Sequence, residues 1–300
     1  MILVAGEALI DVFPDGSERP GGSPFNVAIG LARLGERVAL AAPVGDDDRG
    51  RLLRGTLERE GVETRFLHLS PRPTPSATVR LDASGLPSYG FAGLAELDIH
   101  LPAPIGGDVT CLHIGSYALV SPRSSAALLD RFGAAPSGVL RSVDPNVRLA
   151  MEPKAERWRA AVAAFAARTH VLKLSEEDVR LLAGPGADID AVAAAWLSQG
   201  CALVALTRGE RGASLFTRGR GRIDGAACPV EIVDTVGAGD AFQAALLAGL
   251  GDRGVRSAEA LDSLGSEPLR ALLDTAIRAG ALTCARRGAD PPARSRLIAG

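Results

Sequence analysis

Short, β-rich and mainly apolar runs recur through this chain, and most of the segments between them carry apolar residues at three- and four-residue spacing. The runs are "ILVA" at 2–5, "VALAAP" at 38–43, "VTCLHI" at 109–114, "VLRSV" at 139–143, "THVL" at 169–172 and "LVALT" at 203–207. Helical spacing is clearest in 154–168 and 188–199. A strand apolar on both sides must be covered on both sides, and a crossover helix returns the chain to begin a parallel neighbour. The pattern therefore predicts an α/β fold: a doubly wound, mostly parallel sheet flanked by helices. The length of 300 residues fits one large domain of this kind carrying an insertion.

Residues 71–100 break the rhythm with prolines, a turn at Ala83-Ser84-Gly85 and alternation in "SATVRLD". They read as a small antiparallel excursion with 11–22 as its partner, and as a candidate lid over a site. A solvent-exposed β-arm without function would read the same way. The resulting division is 1–10, 23–70 and 101–300 for a large domain, with 11–22 and 71–100 as the lid. In the last quarter "GASLF" and "VEIVD" are expected to form a hairpin-like pair, followed by helices around 239–250 and 268–285.

The amino-terminal "MILVAGEALI" reads as a buried strand and not as a signal peptide, because it lacks a basic flank and Glu7 and Asp11 interrupt its apolar run. No stretch approaches the ~18 apolar residues of a membrane span. Lys and Arg total 33 against 35 Asp and Glu, so there is no electrostatic footprint for nucleic acid or an anionic membrane. Cys111, Cys201, Cys228 and Cys284 form no C-x-x-C pair. They are expected to be reduced thiols of a cytoplasmic protein, with no zinc site.

"DTVGAGDAF", 234–242, places three residues with almost no side chain directly before a carboxylate. With "VEIVD" read as a strand and "GDAFQAALLAGL" as a helix, Gly237, Ala238 and Gly239 open a helix amino terminus. Its unpaired N–H groups and the positive end of the macrodipole make an anion site, and glycine lets a phosphoryl oxygen reach the backbone. A P-loop would need a following lysine, and a dinucleotide fingerprint would need glycine where Phe242 stands. Asp240 makes sense if it faces the incoming nucleophile. A sugar hydroxyl attacking a γ-phosphoryl group sheds a proton, and Asp240 is placed to accept it as a weak base kept ionised by the dipole. Gly237, Ala238 and Gly239 then stabilise charge on the transferring oxygens. With few fixed cations to neutralise a triphosphate, Mg²⁺ is expected alongside ATP.

The same segment resembles the carboxy-terminal signature of the ribokinase-like (PfkB) family of sugar kinases. "GGSPFNVAIGLARLG", 21–35, resembles the family's amino-terminal motif, and "VGDDDRGR", 44–51, follows it as is usual there. The resemblance covers nearly the whole chain and implies the ribokinase-like form of the predicted fold, with the β excursion as its lid. In the first motif Ser23 and Pro24 read as N-cap and first-turn residues and Gly35 as the stop. Gly21 and Gly22 let backbone approach a ligand, Asn26 offers a donor and an acceptor, and Asp11 can accept two sugar hydroxyls.

"KLSEED", 173–178, matches the family's N-x-x-E element with Lys173 where asparagine is usual. The resemblance implies that Glu176 orders water around Mg²⁺ and that Lys173 meets nucleotide phosphate. A plain helix start accounts for the same acidic residues. "TRGERG", 207–212, resembles the nucleotide-contacting loop, carrying Thr207, Gly209 and Gly212. In "DPNVR", 144–148, Asp144 and Asn146 are placed to serve phosphate or metal water and Arg148 the substrate, although a simple Asp-Pro turn also explains Asp144. A monovalent-cation loop, with K⁺ as its ion, is implied near Asp234, Val236 and 285–290.

Within the family the motifs are most similar to bacterial fructokinases, which implies an ATP-dependent kinase making fructose 6-phosphate. A 2-keto-3-deoxygluconate kinase, another sugar or nucleoside kinase of the family, or a sugar-binding regulator on the same scaffold are the alternatives. In "YGFAGLA" Phe91 is expected at the sugar and Ala92 stands where acid-binding relatives carry arginine, favouring a neutral sugar. Arg148, Arg72 and Arg80 keep the acid in play. Association as a homodimer through the lid is a further expectation.

Overall fold

The computed structural model describes residues 1–81 and 87–298, so the turn expected at Ala83-Ser84-Gly85 lies outside the described residues. In chain order the strands are β1 (Ile2–Ala5), β2 (Leu9–Val12), β3 (Glu18–Gly21), β4 (Val38–Gly45), β5 (Leu67–Ser70), β6 (Ser76–Leu81), β7 (Pro87–Ala92) and β8 (Cys111–Gly115). They continue with β9 (Leu140–Asp144), β10 (Val171–Ser175), β11 (Leu203–Thr207), β12 (Ala213–Thr217) and β13 (Gly221–Gly225). The helices are α1 (Ser23–Arg33), α2 (Asp48–Arg59), α3 (Ser125–Gly133), α4 (Ala155–Ala166) and α5 (Glu176–Ala183). After them come α6 (Ile189–Ser198), α7 (Ala238–Asp252), α8 (Ala258–Asp262), α9 (Ser266–Cys284) and α10 (Arg294–Ile298).

The large sheet runs β13-β12-β11-β10-β9-β8-β1-β4-β5. From β5 to β11 every neighbouring pair is parallel, and β12 and β13 close the edge antiparallel. Alternate residues of β1 show why the runs are mainly apolar. Ile2 and Val4 pack with Phe25, Leu31, Leu246 and Leu272 on one face, while Leu3 and Ala5 pack with Phe132, Phe165 and Leu172 on the other. A polar residue on either face of such a strand is tolerated only where a buried partner meets it.

Four places depart from the sequence reading. The run "MILVAGEALI" is two strands, not one, because the chain leaves the large sheet after Ala5 and enters the small sheet at Leu9. Asp11 therefore lies in the small sheet. "VEIVD" forms no strand: Ile232 and Val233 are 64% and 57% exposed, and the partner of β12 is the glycine-flanked β13. The small sheet, ordered β3-β2-β6-β7, is antiparallel except where the excursion meets its partner, since β2 and β6 pair in parallel. The strand β5 extends the large sheet beyond the runs recognised in the sequence.

Beneath the small sheet a third apolar cluster of Leu9, Ala77, Leu94, Tyr117, Val147 and Trp158 joins it to the main body. The four cysteines are free, with Cys111 and Cys201 buried. Among the described residues no helix is long and apolar enough to cross a membrane.

Candidate active site

Parallel strands bring their carboxyl ends to one edge, and the residues there are the ones both motifs supply. Helix α1 begins with Ser23 after Gly22, which holds a left-handed φ of 106°. A side chain at position 22 would also meet the backbone oxygen of Glu7 at 2.7 Å, so the Gly-Gly corner is set by space as well as by φ. Ser23 is thus the first helical residue and not the cap expected from the sequence. That position turns its hydroxyl away from the helix end and towards α7.

On the other side, α7 starts after Gly237, at φ 78°, where a Cβ would run into Ala289 at 2.5 Å. The first turn then delivers Asp240. Its carboxylate takes one hydrogen bond per oxygen: Ser23 Oγ donates to Oδ1 at 2.7 Å, and Asn26 Nδ2 donates to Oδ2 at 2.8 Å. The two signatures, more than two hundred residues apart, therefore meet on one buried carboxylate. Ser23 and Asn26 are three residues apart and share a helix face, a spacing from which this partnership was readable.

Burial pushes the Asp240 carboxyl above its ordinary value, although Ser23, Asn26, Lys173 and Arg148 all pull the other way. This corrects the expectation of a weak base held ionised by the helix dipole. Burial is the largest influence on the group, and the raised value makes Asp240 a stronger base than its position in the sequence indicates.

Asp144 ends β9, and Lys173 extends across from β10 to donate to its Oδ2 at 2.8 Å. Both side chains are buried, and a Cβ on Gly239 would lie 3.0 Å from Lys173 Nζ. Burial pushes Asp144 up to about 6. Burial also works against the ammonium, but Asp144, Asp178 and Asp240 together hold the Lys173 pKa above the usual lysine value. The lysine accordingly stays charged. The Asp144 Oδ1 accepts from Asn146 N at 3.2 Å, and Asn146 itself is left-handed at φ 39°.

The loop after β9 is fastened from below. Asp178 accepts from Val147 N at 2.7 Å, and from the amide and hydroxyl of Ser175 at 2.7 and 2.6 Å. Ser175 and Asp178 form a capping box at the start of α5, a pattern visible in "SEED" that carried no role in the sequence reading. Arg148 follows on this loop, exposed, with its guanidinium 3.9 Å from Glu177. Glu176, on the first turn of α5, is ion-paired with Arg211 of the short turn after Thr207. Thr207 ends β11, and open space surrounds the Cα of Gly209. Gly212 is packed tightly against Gly225. Among the described residues no cluster of three or more His, Cys, Asp or Glu side chains makes a metal cage.

Asp11 lies on β2 with its carboxylate against Gly21, where a Cβ would sit 2.3 Å from Oδ2, and burial pushes it up to about 6. Phe91 is half-buried on β7 opposite Ala77 and packs on the third cluster. Ala92, the last residue of β7, is exposed. Arg72 sits 3.6 Å from Glu96, and the Arg80 side chain lies outside the described residues.

One fully buried group appears in the sequence only as a break in the apolar run and carries no role there. Glu7, between the two sheets, has no well-aligned hydrogen bond to either carboxyl oxygen, and burial pushes it up to about 8 although Ser116 and the Tyr117 backbone lie close enough to pull it down. It is a neutral acid at ordinary pH. Behind Asp240, Gln243 donates to Ser142 Oγ at 2.8 Å, and His113 Nδ1 meets that hydroxyl at 3.1 Å. Burial pushes His113 down to about 3. Where the resemblance implies a cation loop, Asp234 accepts from Val236 N at 3.0 Å and from Gly288 N at 2.8 Å.

What the edge offers chemically is a helix amino terminus open to an anion, a basic carboxylate beside it, and a buried ammonium on its far side. Comparison with known proteins identifies the family that carries this fold. Residues 5–296 match the family model described as pfkB family carbohydrate kinase. A fructokinase of Rhizobium leguminosarum bv. trifolii is 37% identical over 286 residues, covering 90% of this chain and 86% of the relative. The structure of a fructokinase with bound ATP from Xylella fastidiosa superposes with a TM-score of 0.86 at 26% identity, covering 99% of this chain and 97% of that one. A Vibrio cholerae O395 fructokinase, in a form with fructose, ADP and calcium bound, gives 0.83 at 27% identity over 99% and 97% of the two chains.

Proposed function

The chain belongs to the pfkB family of carbohydrate kinases, and from that premise we propose that it transfers the γ-phosphoryl group of ATP to fructose, giving fructose 6-phosphate. The observation that carries the reading is the Asp240 carboxylate, buried and held by Ser23 and Asn26 at the amino terminus of α7. In this reading the sugar hydroxyl gives its proton to Asp240 as its oxygen forms the bond to the γ-phosphorus. The bond from that phosphorus to the bridging oxygen breaks, and ADP leaves. The N–H groups at Gly237, Ala238 and Gly239 face the developing charge.

Asp11, Gly21, Gly22, Asn26 and Phe91 are assigned to the sugar. Asn26 has one amide N–H committed to Asp240, which leaves its oxygen and second N–H for a hydroxyl. Glu176, Thr207, Gly209 and Gly212 are assigned to the nucleotide, with Glu176 acting on Mg²⁺ through water. Asp234 and Val236 are assigned to a loop for K⁺. An ATP-dependent sugar kinase of this kind works in the cytoplasm, and a homodimer through the small sheet is its proposed assembly.

Arg148 supports a second reading. With Lys173 it is a cation whose charge bears on Asp240, and it is exposed enough to meet a sugar acid. A regulator without catalysis is disfavoured, because the carboxylate and the bare glycines it would have lost are in place. A coupled ADP-release assay against fructose, ribose, glucose, nucleosides and 2-keto-3-deoxygluconate tests the proposal. Fructose should give the highest kcat/KM. A higher value for the acid would replace the reading with an Arg148-dependent acid kinase, and no ADP release with any sugar would leave the regulator.

A further inference from the structure

The resemblance gives Lys173 to nucleotide phosphate, and its placement narrows the phosphate to the one being transferred. Its side chain is buried, whereas Gly209 and Arg211 on the turn after Thr207 are exposed. The lysine runs under α7, 3% exposed, to a point 3.0 Å from where a Cβ on Gly239 would lie. An ammonium has three N–H donors. Among the described residues its one hydrogen-bond partner is Asp144, at 2.8 Å. Two donors remain beside the backbone that would receive the transferring group.

Charge makes the same point. The carboxylates of Asp144, Asp178 and Asp240 converge here, from β9, α5 and α7, and all three act on Lys173. His113 on β8 faces it as a neutral imidazole. Without Lys173 the approach of a phosphoryl group would meet negative charge on several sides. A buried ammonium is retained only when paired, and Asp144 supplies that pairing without covering the remaining N–H groups.

We propose that Lys173 is a catalytic residue of the phosphoryl transfer, donating hydrogen bonds to the transferring group beside Gly239, with Asp144 as the positioning residue that holds it there. The inference rests on the kinase reading above. The bond made is between the sugar oxygen and the γ-phosphorus, and the bond broken is between that phosphorus and the bridging oxygen, whose electron pair leaves with ADP. The hydroxyl proton goes to Asp240. Lys173 keeps its own proton throughout. Where the family usually places asparagine, a neutral donor, this chain places a fixed cation in contact with the reacting group.

The neutral pair Lys173→Met with Asp144→Asn tests this without leaving a lone buried charge, and Lys173→Asn is the second variant. Loss of an oxyanion donor costs about 10²–10³ in kcat, and both variants should lose that much while KM for ATP and the Kd of ADP stay near wild type. Binding of ADP with aluminium fluoride and sugar, read calorimetrically, should weaken by a similar factor. Asp144→Asn alone leaves the ammonium buried without its counterion, so kcat should gain an alkaline limb as Lys173 deprotonates. An ADP affinity that falls as far as kcat would make Lys173 a nucleotide contact and overturn the proposal. So would a kcat unchanged in both variants, or an Asp144→Asn profile without the new limb. All ratios are taken with whichever sugar the wild type turns over, so the choice of fructose stands or falls separately.

Discussion

Replacing Ser23 by alanine removes one of the two hydrogen bonds that stabilise the charged form of Asp240. The bond is short, at 2.7 Å, and it reaches a carboxylate that is 8% exposed, so no solvent replaces it cheaply. A hydrogen bond to a charged group is worth about 1.5–3 kcal/mol. At roughly 1.4 kcal/mol per pH unit, the Asp240 pKa should rise by about one to two units. Because the base must be ionised to accept a proton, activity rises with pH through that value, and the acid limb of kcat/KM should move up by the same amount. On the alkaline side of the limb, where Asp240 is ionised in both proteins, kcat should recover much of the wild-type value. The assay is the pH profile of kcat/KM for the sugar, measured side by side. Asp11, which burial holds near 6, contributes a limb that Ser23→Ala leaves in place, so the moving limb is assigned to Asp240. An acid limb that stays put or moves down would refute the reasoning, because it would mean the serine bond does not favour the carboxylate.

Glu7→Gln should alter how stability depends on pH. The Glu7 carboxyl is raised from about 4.5 to about 8 by burial, so its stabilising contribution is complete below the unfolded value and lost as pH rises through the folded one. The wild type should lose on the order of a few kcal/mol across that window from this group, and the glutamine variant should show a flatter urea-derived stability profile there. Gly239→Val places a branched side chain against Lys173 in the space assigned to the phosphoryl group, and kcat should collapse while sugar binding by calorimetry persists. Removal of divalent cations by a chelator should abolish ADP formation, since ATP arrives with more negative charge than Lys173 and Arg148 offset.

The parts of the fold that were legible in the sequence are those governed by one local signal. β1, β4 and β11 are almost continuously apolar, and β8 to β10 are apolar apart from a few polar residues, because both faces of a central parallel strand are covered, and that pattern survives without knowledge of the neighbours. "VEIVD" carried the same kind of signal and misled, because its apolar residues lie on an exposed approach to α7. The true partner of β12, "GRIDG", has too little apolar content to announce itself. Ser23 was read as a cap because serine before proline usually is one. The φ of Gly22 moves the helix start by one residue, and the hydroxyl then serves Asp240. Local reasoning reached the helix dipole at Asp240 but not its burial, which depends on α1 folding over it. Lys173 and Asp144 are 29 residues apart and meet because β9 and β10 are neighbours, a fact of topology that no motif states.

The central claim is that Asp240 takes the proton of a sugar hydroxyl during transfer from ATP. Its most direct test is the kcat for ADP release by Asp240→Asn with fructose, alongside calorimetric binding of fructose to the same variant. The account predicts a loss of kcat on the order of 10²–10⁴, the usual span for a general base, in a folded protein that still binds the sugar. A kcat within about threefold of wild type, far short of that span, would contradict it.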